Sequence, residues 1–168
     1  VVAGVAELAL DGMHRHGPAA EGGCSGCHGV HGGDLARLLT AAYSTEFYGA
    51  FSEDAYALCF KCHDPNLVRA DPSKGETAFR DGERNLHTLH VNPSPQGRSC
   101  RACHATHASK SAAHVADSVP FGQWKLPINF TTTPTGGSCS PGCHKPASYD
   151  RESPVLPPVP HAAPKSKS

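Results

Sequence analysis

Every cysteine in this chain of 168 residues falls into one of four pairs, and a histidine follows each pair at once. The four stretches are CSGCH at 24–28, CFKCH at 59–63, CRACH at 100–104 and CSPGCH at 139–144. With 12 histidines in the chain, chance would produce this fourfold coincidence on the order of a few times in a hundred thousand, so the pattern reflects chemistry. No other feature constrains the fold as strongly. With 17 glycines, 15 prolines and only 7% aromatic residues, one domain's length of chain has little apolar material to pack.

The spacing suits a covalently attached haem. Two thiols two residues apart add across the two vinyl groups of haem b, and the adjacent histidine, on the same short turn, ligates iron from one side. Zinc also uses paired cysteines, but it takes four ligands and needs no histidine fixed after each pair. A redox dithiol normally comes singly beside a βαβ pattern, which is absent here. A disulfide scaffold explains the even count and leaves the four histidines unexplained. Cys24, Cys27, Cys59, Cys62, Cys100, Cys103, Cys139 and Cys143 are therefore the expected attachment residues for four haem c groups, with His28, His63, His104 and His144 as proximal ligands. The fourth pair holds three intervening residues, Ser140, Pro141 and Gly142. Its longer turn must bulge, and a disulfide or free dithiol is the alternative there.

The sixth ligand of each iron separates a carrier of electrons from a reactive open site. Eight further histidines stand at 14, 16, 31, 87, 90, 107, 114 and 161, against a single methionine, Met13. An internal repeat narrows the choice. HGPAAEGGCSGCHGVHGG at 16–33 superposes loosely on HVNPSPQGRSCRACHATHAS at 90–109, and Cys24 and Cys100 are 76 residues apart. Two dihaem units in tandem are expected, at 1–70 and 71–152. His31 and His107, three residues beyond a proximal histidine, lie on the same face of a turn and must each ligate a different haem. His16 and His90 are the expected distal ligands of the remaining irons. His14 and His87 each stand close enough to replace a neighbour, His114 is a reserve, and His161 reads as a tail residue. A ligand from a neighbouring subunit is a further option.

The expected fold is mostly irregular coil with a few short α-helices around a haem core, and little or no β-sheet. Helices are expected at 34–42, with Asp34 as N-cap, and at 53–63. Residues 119–133, with Pro120 and Pro127, read as extended or irregular. The Pro-rich stretch 153–168 is expected to be extended and to dock on a neighbouring subunit. Arg80 and Arg84 are candidates to hold haem propionates. With 15 basic and 15 acidic residues there is no field to attract nucleic acid. VVAGVAELAL at 1–10 is about half of a membrane span and carries Glu7, so no span is expected. A start at Val1 reads as a mature form whose export signal has been removed or left out of the numbering.

Through HGPAAEGGCSGCHGVHGG…LCFKCHD and LHVNPSPQGRSCRACHATHAS…GGSCSPGCHKP, over roughly residues 12–150, the chain resembles the multihaem c-type cytochromes with paired CxxCH motifs. The resemblance implies bis-histidine haem c and electron transfer outside the cytoplasmic membrane, in the periplasm or outside the cell. Redox proteins or extracellular acceptors would be the partners. Some similar tetrahaem proteins polymerise into filaments with a continuous haem chain, which makes a homo-oligomer or filament, built on haem stacking and the Pro-rich tail, the expected assembly. The expected role is non-enzymatic. The alternative is a multihaem oxidoreductase acting on a small inorganic substrate at an open-site haem.

Overall fold

The computed structural model describes residue 8 and residues 10–157. Among these are three α-helices of one or two turns: α1 (Gly17–Ala20), α2 (Asn66–Arg69) and α3 (Leu86–Val91). Eleven short strands accompany them. These are β1 (His14–Arg15), β2 (Tyr48–Gly49), β3 (Arg80–Asp81), β4 (Arg84–Asn85), β5 (Gly97–Arg98), β6 (Ala108–Ser109), β7 (Ser118–Phe121), β8 (Trp124–Pro127), β9 (Thr131–Thr132), β10 (Gly136–Cys139) and β11 (Ala147–Asp150). They form the antiparallel pairs β1–β6, β2–β5, β3–β4 and β7–β8 and a three-stranded sheet ordered β11–β10–β9.

The expectation of coil with little or no sheet is thus overturned. Strand takes 23% and helical turns 20%, although each sheet is small. The physical reason is that backbone N–H and C=O groups need partners wherever the chain is covered, and short ladders between sequence-distant segments satisfy them. β3–β4 and β7–β8 are hairpins closed by two-residue turns whose first residue is glycine. Gly82 has φ 57° and Gly122 has φ 56°, the left-handed values that such turns demand. Residues 119–133 are extended, as their prolines suggest, and Pro120 and Pro127 sit within the β7–β8 ladder.

The helix expected at 34–42 is also absent. A three-residue 3-10 turn at Ala36–Leu38 stands there, with Leu35 rather than Asp34 at its N-cap and no capping side chain. Arg37 and Leu38 have φ of 60° and 56°, because their carbonyls turn back to accept bonds from His28 Nδ1 and Gly29 N. Over 53–63 the helix is broken into two 3-10 turns, Asp54–Tyr56 and Cys59–Lys61.

Nine apolar residues are buried among the described residues: Tyr56, Val68, Leu86, Val91, Ala102, Ala108, Val119, Ile128 and Tyr149. Val68, Leu86 and Val91 lie where α2 packs against α3, and Asn85 fastens this corner. Its Oδ1 accepts from the N–H groups of His87 (2.9 Å) and Thr88 (3.3 Å), capping α3, while its Nδ2 donates to the carbonyls of Leu67 (3.0 Å) and Ala70 (2.7 Å). One fully buried amide therefore sets the angle between two helices.

Asp81 is the second polar fastener. Its buried carboxylate accepts from Asp150 N at 2.9 Å, Val155 N at 2.9 Å and Leu156 N at 2.8 Å. The described start of the Pro-rich stretch is thereby held on β3 of its own chain, and Arg84 Nη1 reaches the Pro157 carbonyl at 3.5 Å. Residues 158–168, where the expected docking on a neighbour chiefly falls, lie outside the described residues.

Substituting Asn85→Ala removes a cap and strands two covered carbonyls, an expected loss of about 3 kcal/mol in unfolding free energy measured by denaturant titration. Asp81→Ala is expected to cost about 3 kcal/mol by leaving covered N–H groups unpaired, and Asp81→Asn, which keeps one acceptor oxygen, less. Proteolysis should reach residues 153–157 sooner in the Asp81→Ala protein.

Candidate functional site: four paired-imidazole centres

In three of the four cysteine pairs the chain makes the same 3-10 turn, at Cys24–Gly26, Cys59–Lys61 and Cys100–Ala102. The carbonyl of the first cysteine accepts from the second cysteine's N–H, at 3.2 Å in each case, and from the following histidine's N–H at 2.9, 3.0 and 2.9 Å. That doubly used carbonyl places two sulfurs and one imidazole around a single turn. The fourth pair is built differently. Cys139 ends β10, and the added residue is absorbed by bonds from Ser140 N to Ile128 O and from Gly142 N to Pro127 O, both 3.1 Å. All eight thiols are free.

Each of the four histidines after a cysteine pair faces the ring of a second histidine. The ring centres are 6.2 Å apart for His28–His107, 6.0 Å for His63–His16, 6.3 Å for His104–His87 and 6.5 Å for His144–His90. The planes differ by 22°, 4°, 24° and 36° in the same order. Direct stacking would bring rings much closer. With metal–imidazole bonds of about 2.0 Å and a ring centre about 1.1 Å behind the ligating nitrogen, two rings sharing one metal ion have centres about 6.2 Å apart. The gaps fit an iron clasped from both faces. They are numbered here as the first to fourth centres, in the order of their cysteine pairs.

Protonation and hydrogen bonding favour the same use. Burial lowers the pKa of His16, His90 and His104, and pushes His87 down to about 4, with the nearby His104 and His90 adding to the effect. These rings are therefore neutral at ordinary pH, the form that binds metal. Nδ1 of His28 lies 2.9 Å from the Arg37 carbonyl, that of His104 3.1 Å from Ala113 O, that of His90 2.7 Å from Leu86 O, and that of His144 2.6 Å from Lys145 O. A ring donating through Nδ1 keeps Nε2 free as the ligating atom. Arg80 Nε is buried without a hydrogen-bond partner, an environment suited to an anionic group such as a propionate.

The repeat is visible bond by bond. His28 bridges Leu39 as His104 bridges Val115. The bonds Gly29 N to Leu38 O and Thr40 N to Cys27 O recur 76 residues later as Ala105 N to His114 O and Ala116 N to Cys103 O. Leu38 and His114 share φ 56°. The distal partners repeat only in part: His16 and His90 both serve the second centre of their own half, but His107 crosses to the first centre, and His87 completes the third.

The centres lie against one another. His104 and His107, three residues apart, belong to the third and first, and His87 and His90, on one turn of α3, to the third and fourth. The Cys59 and Cys100 thiols lie close enough to act on one another, which lowers the Cys59 pKa and raises that of Cys100. This contact joins the second centre to the third. His16 N donates to His107 O at 2.9 Å, joining the second to the first. The third centre thus touches all the others.

Of the distal ligands expected from the sequence, His16, His90 and His107 stand in ring pairs, while His31 is exposed and joins none of the four. His87 occupies the remaining place. Its signal was in the sequence, since His87 and His90 have the same three-residue spacing as His104 and His107; three residues before His16 the chain carries Met13 instead. His14 lies exposed on β1. His114 sits edge-on to His16 at 5.3 Å with its Nδ1 buried and unpartnered. His161 lies outside the described residues.

No helix among the described residues is long and apolar enough to cross a membrane. The chain matches no curated protein and no solved structure. Residues 16–67 match the family described as the doubled CXXCH motif, a stretch that holds the first two cysteine pairs and His16. Over that stretch the chain is similar to multihaem, c-type-cytochrome-like proteins, and its CXXCH motifs imply covalent binding of haem c and suggest haem-based electron transfer.

Proposed function

We propose that this chain is an exported, non-enzymatic electron-transfer protein that holds four haem c groups, one in each paired-imidazole centre. The observation that carries the reading is the recurrence of one geometry four times. A histidine fixed beside two free thiols faces a second imidazole at the separation that a shared iron requires. Bound haem supplies reversible one-electron exchange at iron.

The protein's own residues do the rest. The cysteine turns would hold the haems covalently and the eight imidazoles would ligate iron in pairs, which would leave no centre with a coordination place for a substrate. This speaks for a carrier and against an oxidoreductase with an open site. Redox partners or an external acceptor would exchange electrons with whichever haem edges reach the surface. A periplasmic or extracellular location follows from the resemblance to exported multihaem cytochromes. Assembly into a filament, as in some similar tetrahaem proteins, would rest on surface contacts, because each ring pair is completed within one chain.

Mass spectrometry of the isolated protein is expected to give the chain plus four haems, and electron paramagnetic resonance of the oxidised protein only low-spin iron. His107→Ala should convert one centre in four to high spin, whereas His31→Ala should leave all four low-spin. A mass short of four haems, a high-spin fraction in the unsubstituted protein, or a spin change in the His31 variant rather than the His107 variant would overturn the reading.

A further inference from the structure

The four centres differ in what their imidazoles donate to. At the fourth centre both rings donate to backbone carbonyls, His90 to Leu86 O at 2.7 Å and His144 to Lys145 O at 2.6 Å. At the third centre His104 donates to the Ala113 carbonyl at 3.1 Å, but the partner of His87 is a side-chain hydroxyl, Thr77 Oγ1, at 3.0 Å. Thr77 is buried. Its oxygen also accepts from Phe79 N at 3.0 Å, so two donors share it. The Phe79 ring packs edge-on against His87 at 5.2 Å.

We infer that Thr77 is a positioning residue that fixes the ligating face of His87 and, as a weaker acceptor than a carbonyl, lowers the reduction potential of the third centre less than that of the fourth is lowered. The inference rests on the four-haem reading of the preceding subsection. A hydrogen bond accepted from Nδ1 makes an axial imidazole a stronger donor, which favours ferric iron and lowers the potential. A carbonyl oxygen is the better acceptor, and a hydroxyl divided between two N–H groups is the weaker. The fourth centre, with a carbonyl behind each ring, is pulled lower than the third, where one ring has only the shared hydroxyl. The hydroxyl still contributes some donor strength, so removing it moves the third centre further up.

The test is voltammetry of the haem-loaded protein in four variants. His87→Met and His90→Met each shift one wave upward, because a thioether ligand raises the potential, and so mark the third and fourth centres. In the unsubstituted protein the third wave is expected above the fourth. Thr77→Val, close in shape but without the acceptor, is expected to move the third wave alone to higher potential, and Thr77→Ser to leave it in place. The inference falls if the fourth wave lies at or above the third, if Thr77→Val moves no wave or several, or if Ser shifts the wave as Val does. Those outcomes with four low-spin haems present sink Thr77's role alone. A His87→Met protein in which no wave moves sinks the ligand assignment beneath it.

Discussion

Most of this molecule hangs on the carbonyl of the first cysteine in three of its four pairs. By accepting two N–H groups at once, Cys24, Cys59 and Cys100 each force a tight turn that points two thiols and an imidazole at a common place. Around these turns the apolar packing is sparse, and nine buried apolar side chains could not by themselves order the described residues. The remaining structure reads as a set of short braces between turns. Its ladders are two to four residues long, and its firmest corners are polar, at Asn85 and Asp81. On the four-haem proposal, a chain built this way would draw from its haems the cohesion that a larger hydrophobic core supplies elsewhere.

The braces decide which imidazoles meet. The β1–β6 ladder, continued by the bond from His16 N to His107 O, sets two distal histidines side by side although 91 positions separate them in the chain. α3 is only six residues long, yet it places His87 and His90 toward different centres, because residues three apart on a helix share a face but differ in height along it. The Asn85 cap and the Thr77 hydroxyl hold the two ends of that arrangement.

The chemistry of the cysteine turns was legible in the sequence because it is local: two sulfurs and a histidine within five residues need no tertiary information. The repeat was legible for the same reason, and the structure carries it into individual hydrogen bonds. The ring pairs were harder to read. Those of His16, His90 and His107 follow from spacing, but expecting His31 to pair assumed that the two halves are alike in every position; the structure pairs His87 instead, and Met13 in place of a histidine is where the halves differ. The small sheets escaped because strands of two residues leave no alternating pattern. The turn chemistry of DGER at 81–84 and FGQW at 121–124 was nonetheless a usable hairpin signal. The bend at Arg37 and Leu38 could not be foreseen, since DLARLLTAA has ordinary helix-forming composition and only the bonds drawn back to His28 and Gly29 override it.

The reach of His107 across the repeat changes what kind of object the duplication has become. Two copies of an ancestral module would each be expected to stand alone, but here the forward half borrows an imidazole from the rear half, and its own counterpart, His31, is left facing solvent. Splitting such a chain at its midpoint would yield unequal fragments, one with a centre clasped from a single side and one complete. The tandem does not divide into two self-sufficient halves.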